Sequence, residues 1–131
     1  MEAIHALAEK YRESVAFYVV YIREAHPEDG WVLQMNRDEH IAIADPTDAG
    51  QREEAATSCA LHTKIRVPVV IDGMDDAIAR AYGGWPDRLY LIGKGGTVAF
   101  QGDEGPFGFI PDKLNEAIAA ELVRVRPASA R

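Results

Sequence analysis

The chain has 131 residues, 47% of them hydrophobic and 27% charged, which fits one soluble domain with a sizeable core and leaves too little for two. A formal net charge of −7 with scattered Lys and Arg argues against a nucleic-acid partner, and no apolar stretch is long enough to cross a bilayer. The single cysteine, Cys59, excludes an internal disulfide, a paired-cysteine redox motif and a cysteine-rich zinc site, so a reducing cytoplasm is the expected compartment. The charged N-terminus carries no signal-peptide core.

Ile4, Leu7, Ala8 and Tyr11 recur at helical spacing and predict an amphipathic helix over residues 2–13. Residues 16–23 open with an unbroken apolar run of β-branched and aromatic side chains, which predicts a strand covered on both faces. That run changes abruptly into Glu24-Ala25-His26-Pro27-Glu28-Asp29-Gly30-Trp31. Pro27 and Gly30 end the strand and leave a carboxylate and an imidazole at its carboxyl end, where open α/β sheets bind ligands. Residues 32–48 carry little pattern, apart from a turn at 45–48 that caps a helix over 51–62. Ala55, Ala56, Cys59 and Ala60 should face inward from that helix.

A second strand is expected over residues 65–72, where Pro68 requires a sheet edge or a strand start. Asp75 and Asp76 open a short helix that should pack Ile78, Ala81 and Tyr82 and stop at Gly83-Gly84. Residues 89–92, the glycine-rich turn 93–96 and residues 97–100 read as a β-hairpin. Pro111 suits the first position of a final helix with Leu114, Ala117, Ile118 and Leu122 on one face. The chain thus reads as one domain over 1–131 with a flexible tail at 124–131.

Glu24 and His26 stand two apart, so an extended backbone points them the same way. They form either an acid–base pair or an exposed loop histidine beside acidic neighbours. Tyr21 falls on the face opposite Glu24 by strand alternation, which suits a core residue equally well. Arg88 is either a partner for a carboxylate or a solvated arginine. Cys59 reads as a buried structural thiol, since a reactive one needs an accessible, electropositive setting. Glu24, His26 and Asp29 lack a second histidine at ligand spacing, so no metal is expected. No cofactor motif is present either, because the glycine-rich turn at 93–96 is followed by a strand.

Three stretches carry a family resemblance: VVYIREAHPEDGW at 19–31, PVVIDGMDDAIARAYGGWPDRLY at 68–90 and AFQGDEGPFGF at 99–109. Together they resemble the iodothyronine deiodinase family, including its bacterial deiodinase-like members, over nearly the whole chain. The resemblance implies an α/β class with a thioredoxin-like mixed sheet flanked by helices. It also implies thiol- or selenol-dependent reductive chemistry; vertebrate members take iodine from thyroid hormones with a selenocysteine and thiol cosubstrates. Glu24, His26 and Tyr21 match catalytic positions of the family motif. Trp85, Pro86 and Arg88 are carried over as the substrate side, with Pro86 expected to be cis. Glu104 stands where some members have a basic residue, which argues against thyroid hormone as the natural substrate.

The family's first strand, which ends at the selenocysteine or cysteine, would fall upstream of Met1. The fold is therefore expected to lack that central strand, and this polypeptide to be inactive for want of its nucleophile. The alternative is a non-catalytic thioredoxin-fold binding module. Direct pairing of the flanking strands, or a homodimer, should supply the backbone partners. The remaining partners are a small molecule or thiol cosubstrate if the protein is active, with no nucleic acid and no membrane.

Overall fold

Two short strand pairs and the helices packed on them make up the computed structural model, which describes residues 1–23 and 47–126. In order these are α1 (Glu2–Lys10), β1 (Val19–Tyr21), α2 (Ala49–Thr63), β2 (Val69–Ile71), α3 (Ala77–Tyr82), β3 (Tyr90–Ile92), β4 (Val98–Gln101) and α4 (Pro111–Arg124). This helix, strand, helix, strand, helix, hairpin, helix order is an α/β, thioredoxin-like arrangement. None of the described helices is long and apolar enough to cross a membrane.

β1 and β2 run parallel, with Val19, Val20 and Tyr21 opposite Val69, Val70 and Ile71. The ladder is shorter than the apolar runs because β2 supplies few partners. Pro68 precedes it and offers only its carbonyl, to Val19 N–H at 2.9 Å. At the far end Tyr21 O accepts from Asp72 N–H at 2.8 Å, and the chain turns away at Gly73. Residues 16–18 of the predicted strand therefore stay outside the ladder, and Tyr18 is exposed.

β3 and β4 form the expected antiparallel hairpin, Tyr90 opposite Gln101 and Leu91 opposite Phe100, with an irregularity at Leu91/Ile92. The two pairs do not join: among the described residues β1 bonds only β2 and β3 only β4. Direct pairing of β1 with the hairpin, expected above, is not what the chain does.

Side chains make the connection instead. Ile4 and Leu7 of α1, Leu91 of β3, and Leu114 and Ile118 of α4 form one buried cluster. Phe17, just ahead of β1, packs against it with Leu89 and Phe100. Asn115 Oδ1 ties α4 to α1 by accepting from Tyr11 Oη at 2.6 Å and Lys10 Nζ at 3.1 Å. Pro111 holds the first turn of α4, where its missing N–H costs nothing. His5 is buried in α1 and its Nε2 accepts from Arg66 N–H at 3.0 Å, fastening that helix to the approach to β2.

α2 starts as predicted. Asp48 caps it by accepting from Gln51 N–H at 2.8 Å, while Gln51 Oε1 reaches back to Thr47 N–H at 2.8 Å. Its buried stripe is Arg52, Ala55 and Ala56, whereas Cys59 and Ala60 are only half-buried. The buried structural thiol expected at Cys59 is thus corrected, because the stripe is set by the helix's first half. In α3 the inward residue is Ala79, and Ala81 and Tyr82 are exposed. The reason lies at its start, where Asp72 receives the Ile78 and Ala79 N–H groups and fixes the rotation of the helix. Arg124 still belongs to α4, and residues 127–131 lie outside the described residues.

Arg52 and Asp72 are each only 3% exposed and complete one another's surroundings. Asp72 accepts from Gly73 and Ile78 at Oδ1, at 2.8 and 3.0 Å, and from Ala79 at Oδ2, at 2.9 Å. Arg52 Nη1 donates to Gly73 O at 2.6 Å and lies 3.0 Å from Asp76 Oδ1. Burial works to raise the Asp72 pKa, but the N–H groups of Ala79, Ile78 and Gly73 and the Arg52 charge outweigh it, so the carboxyl titrates below its usual range. A depressed folded pKa stabilises above the unfolded value of about 3.9 and loses that contribution as pH falls through the folded one. Asp72→Ala should cost roughly 3 kcal/mol in urea unfolding at pH 7, with the gap from wild type closing below about pH 4. A gap independent of pH would contradict the ionised, hydrogen-bonded Asp72.

Candidate functional site

The carboxyl end of β1 runs into the turn that follows α3. Ile22 Cδ1 lies 3.8 Å from where a Cβ on Gly84 would stand. The Arg23 guanidinium carbon lies 4.9 Å from the centre of the Trp85 ring, within cation–π range. The two segments therefore meet through side chains, although no backbone ladder joins their sheets. Gly83 makes this turn possible: it ends α3 at φ 57°, in the left-handed region that disfavours side chains.

Tyr21 is half-buried, and its Oη is shut off from solvent with no hydrogen-bond partner. The Trp85–Pro86 peptide is cis. Arg88 folds back toward the turn, its Nη1 3.0 Å from the Cβ position of Gly83, and its Nε is also buried and unpartnered. It makes no ion pair among the described residues, so the carboxylate partner considered for it does not appear there. Glu24 and His26 lie outside the described residues.

A second turn closes on the first. Gly105 N–H donates to Asp87 O at 2.8 Å, and the Gly105–Pro106 peptide is cis as well. The Asp87 carboxyl is packed so tightly on Gly105 that a Cβ there would overlap all three of its terminal atoms. Asp87 Oδ1 is buried without a partner, and burial pushes the carboxyl pKa up. Phe107, at the outer end of this loop, is 94% exposed.

The described residues contain no group of three metal-ligating side chains. A shallow groove of about 590 Å³ runs along α2 past Gly50, Glu53, Thr57 and Leu61. Its lining is exposed residues of that helix, the hydroxyls of Thr57 and Ser58 among them, with no cysteine or histidine among the described residues that line it. Cys59 sits half-buried on α2, and Thr63 Oγ1 donates to its backbone carbonyl at 2.7 Å.

The family model for iodothyronine deiodinase matches residues 1–120. The chain belongs to the iodothyronine deiodinase family. It is 36% identical over 118 residues to thyroxine 5-deiodinase of Ovis aries, an alignment covering 87% of this chain and 37% of that protein. The Homo sapiens thyroxine 5-deiodinase gives the same 36% over 118 residues, 87% of this chain and 36% of its own. The Gallus gallus enzyme is 34% identical over 113 residues, 83% of this chain and 40% of its own. This deiodinase-family chain thus spans little more than a third of the length of these relatives.

Sequence reasoning pointed to the β1 end and the Trp85-Pro86 turn, which meet in the structure, and did not single out Asp87 and Gly105. Asp87 offers no local signal, since its burial is created by a loop that folds back onto it. Asp72 was legible in principle, because an aspartate between a strand and a helix is a natural cap. The packing of Asp87 on Gly105 makes a coupled prediction. Gly105→Ala should destabilise the fold by about 1–3 kcal/mol, and far less in an Asp87→Ala background. Additive effects in the double-mutant cycle would refute the contact.

Proposed function

We propose that this chain carries the proton-handling and substrate-facing part of a deiodinase-like site, and that these 131 residues do not supply its electron donor. Reductive dehalogenation passes an electron pair from a thiolate or selenolate to the carbon–halogen bond. The halogen leaves on sulfur or selenium, and the carbon takes a proton. In this reading Glu24 and His26 move that proton, as the family resemblance implies. Tyr21, Trp85, Pro86 and Arg88 line the place where an aryl halide is held.

The observation that carries the reading is the junction itself. Arg23 on Trp85 and Ile22 on Gly84 bring the strand before Glu24 against the turn before Arg88. Tyr21 Oη and Arg88 Nε add unspent hydrogen-bonding capacity in these two segments. The one sulfur nucleophile among these residues is Cys59, half-buried on α2. Proton transfer is worth about 10²–10⁴-fold and cannot replace an electron-pair donor. A reducing cytoplasm suits a chain with one thiol.

The 131-residue chain and its Cys59→Ser variant, each given dithiothreitol and 3-iodophenol, should release iodide no faster than buffer. Iodide release that disappears in the variant would make Cys59 the nucleophile and overturn this reading. A homodimer that brings backbone partners to β1 and β3 belongs to the same proposal, since both edges are unpaired among the described residues. Sedimentation equilibrium should then find dimers at micromolar concentration, and a monomer throughout would remove that part.

A further inference from the structure

Arg88 carries a charge that nothing among the described residues balances. The residue is half-buried, its Nε is shut off from solvent without an acceptor, and no ion pair among the described residues includes it. By contrast, Arg12, Arg52, Arg66 and Arg124 each face a carboxylate. Asp87, next in the chain, is no counterion, because its carboxyl is packed on Gly105. A guanidinium keeps its proton throughout the range in which proteins fold, so burial is not relieved by neutralisation. A partly desolvated charge without a counterion lowers stability, and a solvated surface arginine would not have a sealed Nε.

The terminal nitrogens of Arg88 are placed differently. Only Nε is sealed, and Nη1 lies beside Gly83, an exposed residue where a Cβ would stand 3.0 Å from it. With no side chain there, the guanidinium edge is open from the solvent side. Two residues on, the exposed Arg23 rests its guanidinium on the Trp85 ring, and it too makes no ion pair among the described residues. Trans peptides link Gly83 to Trp85, so their Cα atoms are at most about 7.6 Å apart and both cations attend one short turn. An arginine stacked on an indole keeps its N–H edge free for an acceptor. We infer that Arg88 and Arg23 form an anion-binding edge of the candidate site, which takes the carboxylate of an aromatic ligand. This rests on the aryl-halide reading above and narrows its substrate class to halogenated aryl carboxylates. A phenol supplies the charge less well, since an aryl hydroxyl such as tyrosine's ionises at about pH 10. A carboxylate is ionised at neutral pH and matches the guanidinium fork with two parallel N–H···O bonds. Ile22 beside Gly84, and the Trp85 ring, offer apolar surface next to that edge.

The test uses the 131-residue chain with 3-iodobenzoate and 3-iodobenzamide, which differ in charge at the same position. By titration calorimetry the wild type should bind the benzoate about tenfold more tightly than the benzamide. Arg88→Gln should stay folded by circular dichroism, since it removes an unbalanced charge, and should lose that preference. Arg23→Gln, a change at an exposed side chain, should reduce it by about threefold. Equal binding of the two probes by the wild type, or an undiminished preference in a folded Arg88→Gln, would overturn the anion-binding edge while leaving the aryl-halide site standing. An unchanged preference in Arg23→Gln would do the same, whether or not the Arg88 variant folds. Failure of the wild type to bind either probe would overturn both.

Discussion

One side-chain core takes in the hairpin and the approach to β1, and among the described residues no hydrogen bond ties the first ladder to the second. Every other feature depends on that core. Phe17 brings the approach to β1 into it, Leu89 and Leu91 bring β3, and α1 and α4 close over them with Ile4, Leu7, Leu114 and Ile118. Hydrophobic burial is non-directional, so it fixes where the ladders sit less sharply than a shared register would. The junction at the end of β1 supplies the missing definition through Ile22 on Gly84 and Arg23 on Trp85. Where a thioredoxin-like sheet is continuous, its ladder aligns the strand ends around the site. In this chain side chains do so, which makes the geometry of the site sensitive to what else pairs with β1 and β3.

Rigidity near the site comes from electrostatics instead. Asp72 anchors the start of α3, and Arg52 joins α2 to the end of β2 through the carbonyl of Gly73 and the charge of Asp76. α3 then delivers Gly83 and Gly84 to the β1 end. A buried ion pair of this type is seldom a large net source of stability, but breaking it leaves an uncompensated charge. Its contribution here is placement: it sets the rotation of α3 and so the position of the turn that carries Trp85, Pro86 and Asp87.

The sequence made the element order legible because each element announces itself locally. β-branched runs predict β1 and β2, Asp48 and Gln51 start α2, the glycine-rich turn predicts the hairpin, and Pro111 starts α4. The Val19–Trp31 motif and its companion stretches disclosed the family, which the match over residues 1–120 establishes. Three things were not legible. The break between the ladders depends on which strands meet in space, and apolar runs look the same whether or not they pair. The inward face of α2 depends on Arg52, whose charge argues for solvent until Asp72 and Asp76 are placed beside it. Asp87 depends on Gly105, remote in sequence and visible only when the loop closes. Local chemistry was readable; convergence of distant segments was not.

The central claim is that the end of β1 and the Trp85-Pro86 turn form one site, held by side chains across unpaired strands. Nuclear Overhauser contacts in the isotopically labelled 131-residue chain test it most directly. The account predicts cross-peaks from the Ile22 δ1 methyl to the Gly84 α protons and from the Arg23 side chain to the Trp85 ring, with no amide contacts between β1 and β3. Absence of the Ile22 and Arg23 contacts, or a continuous β1–β3 ladder, would contradict it.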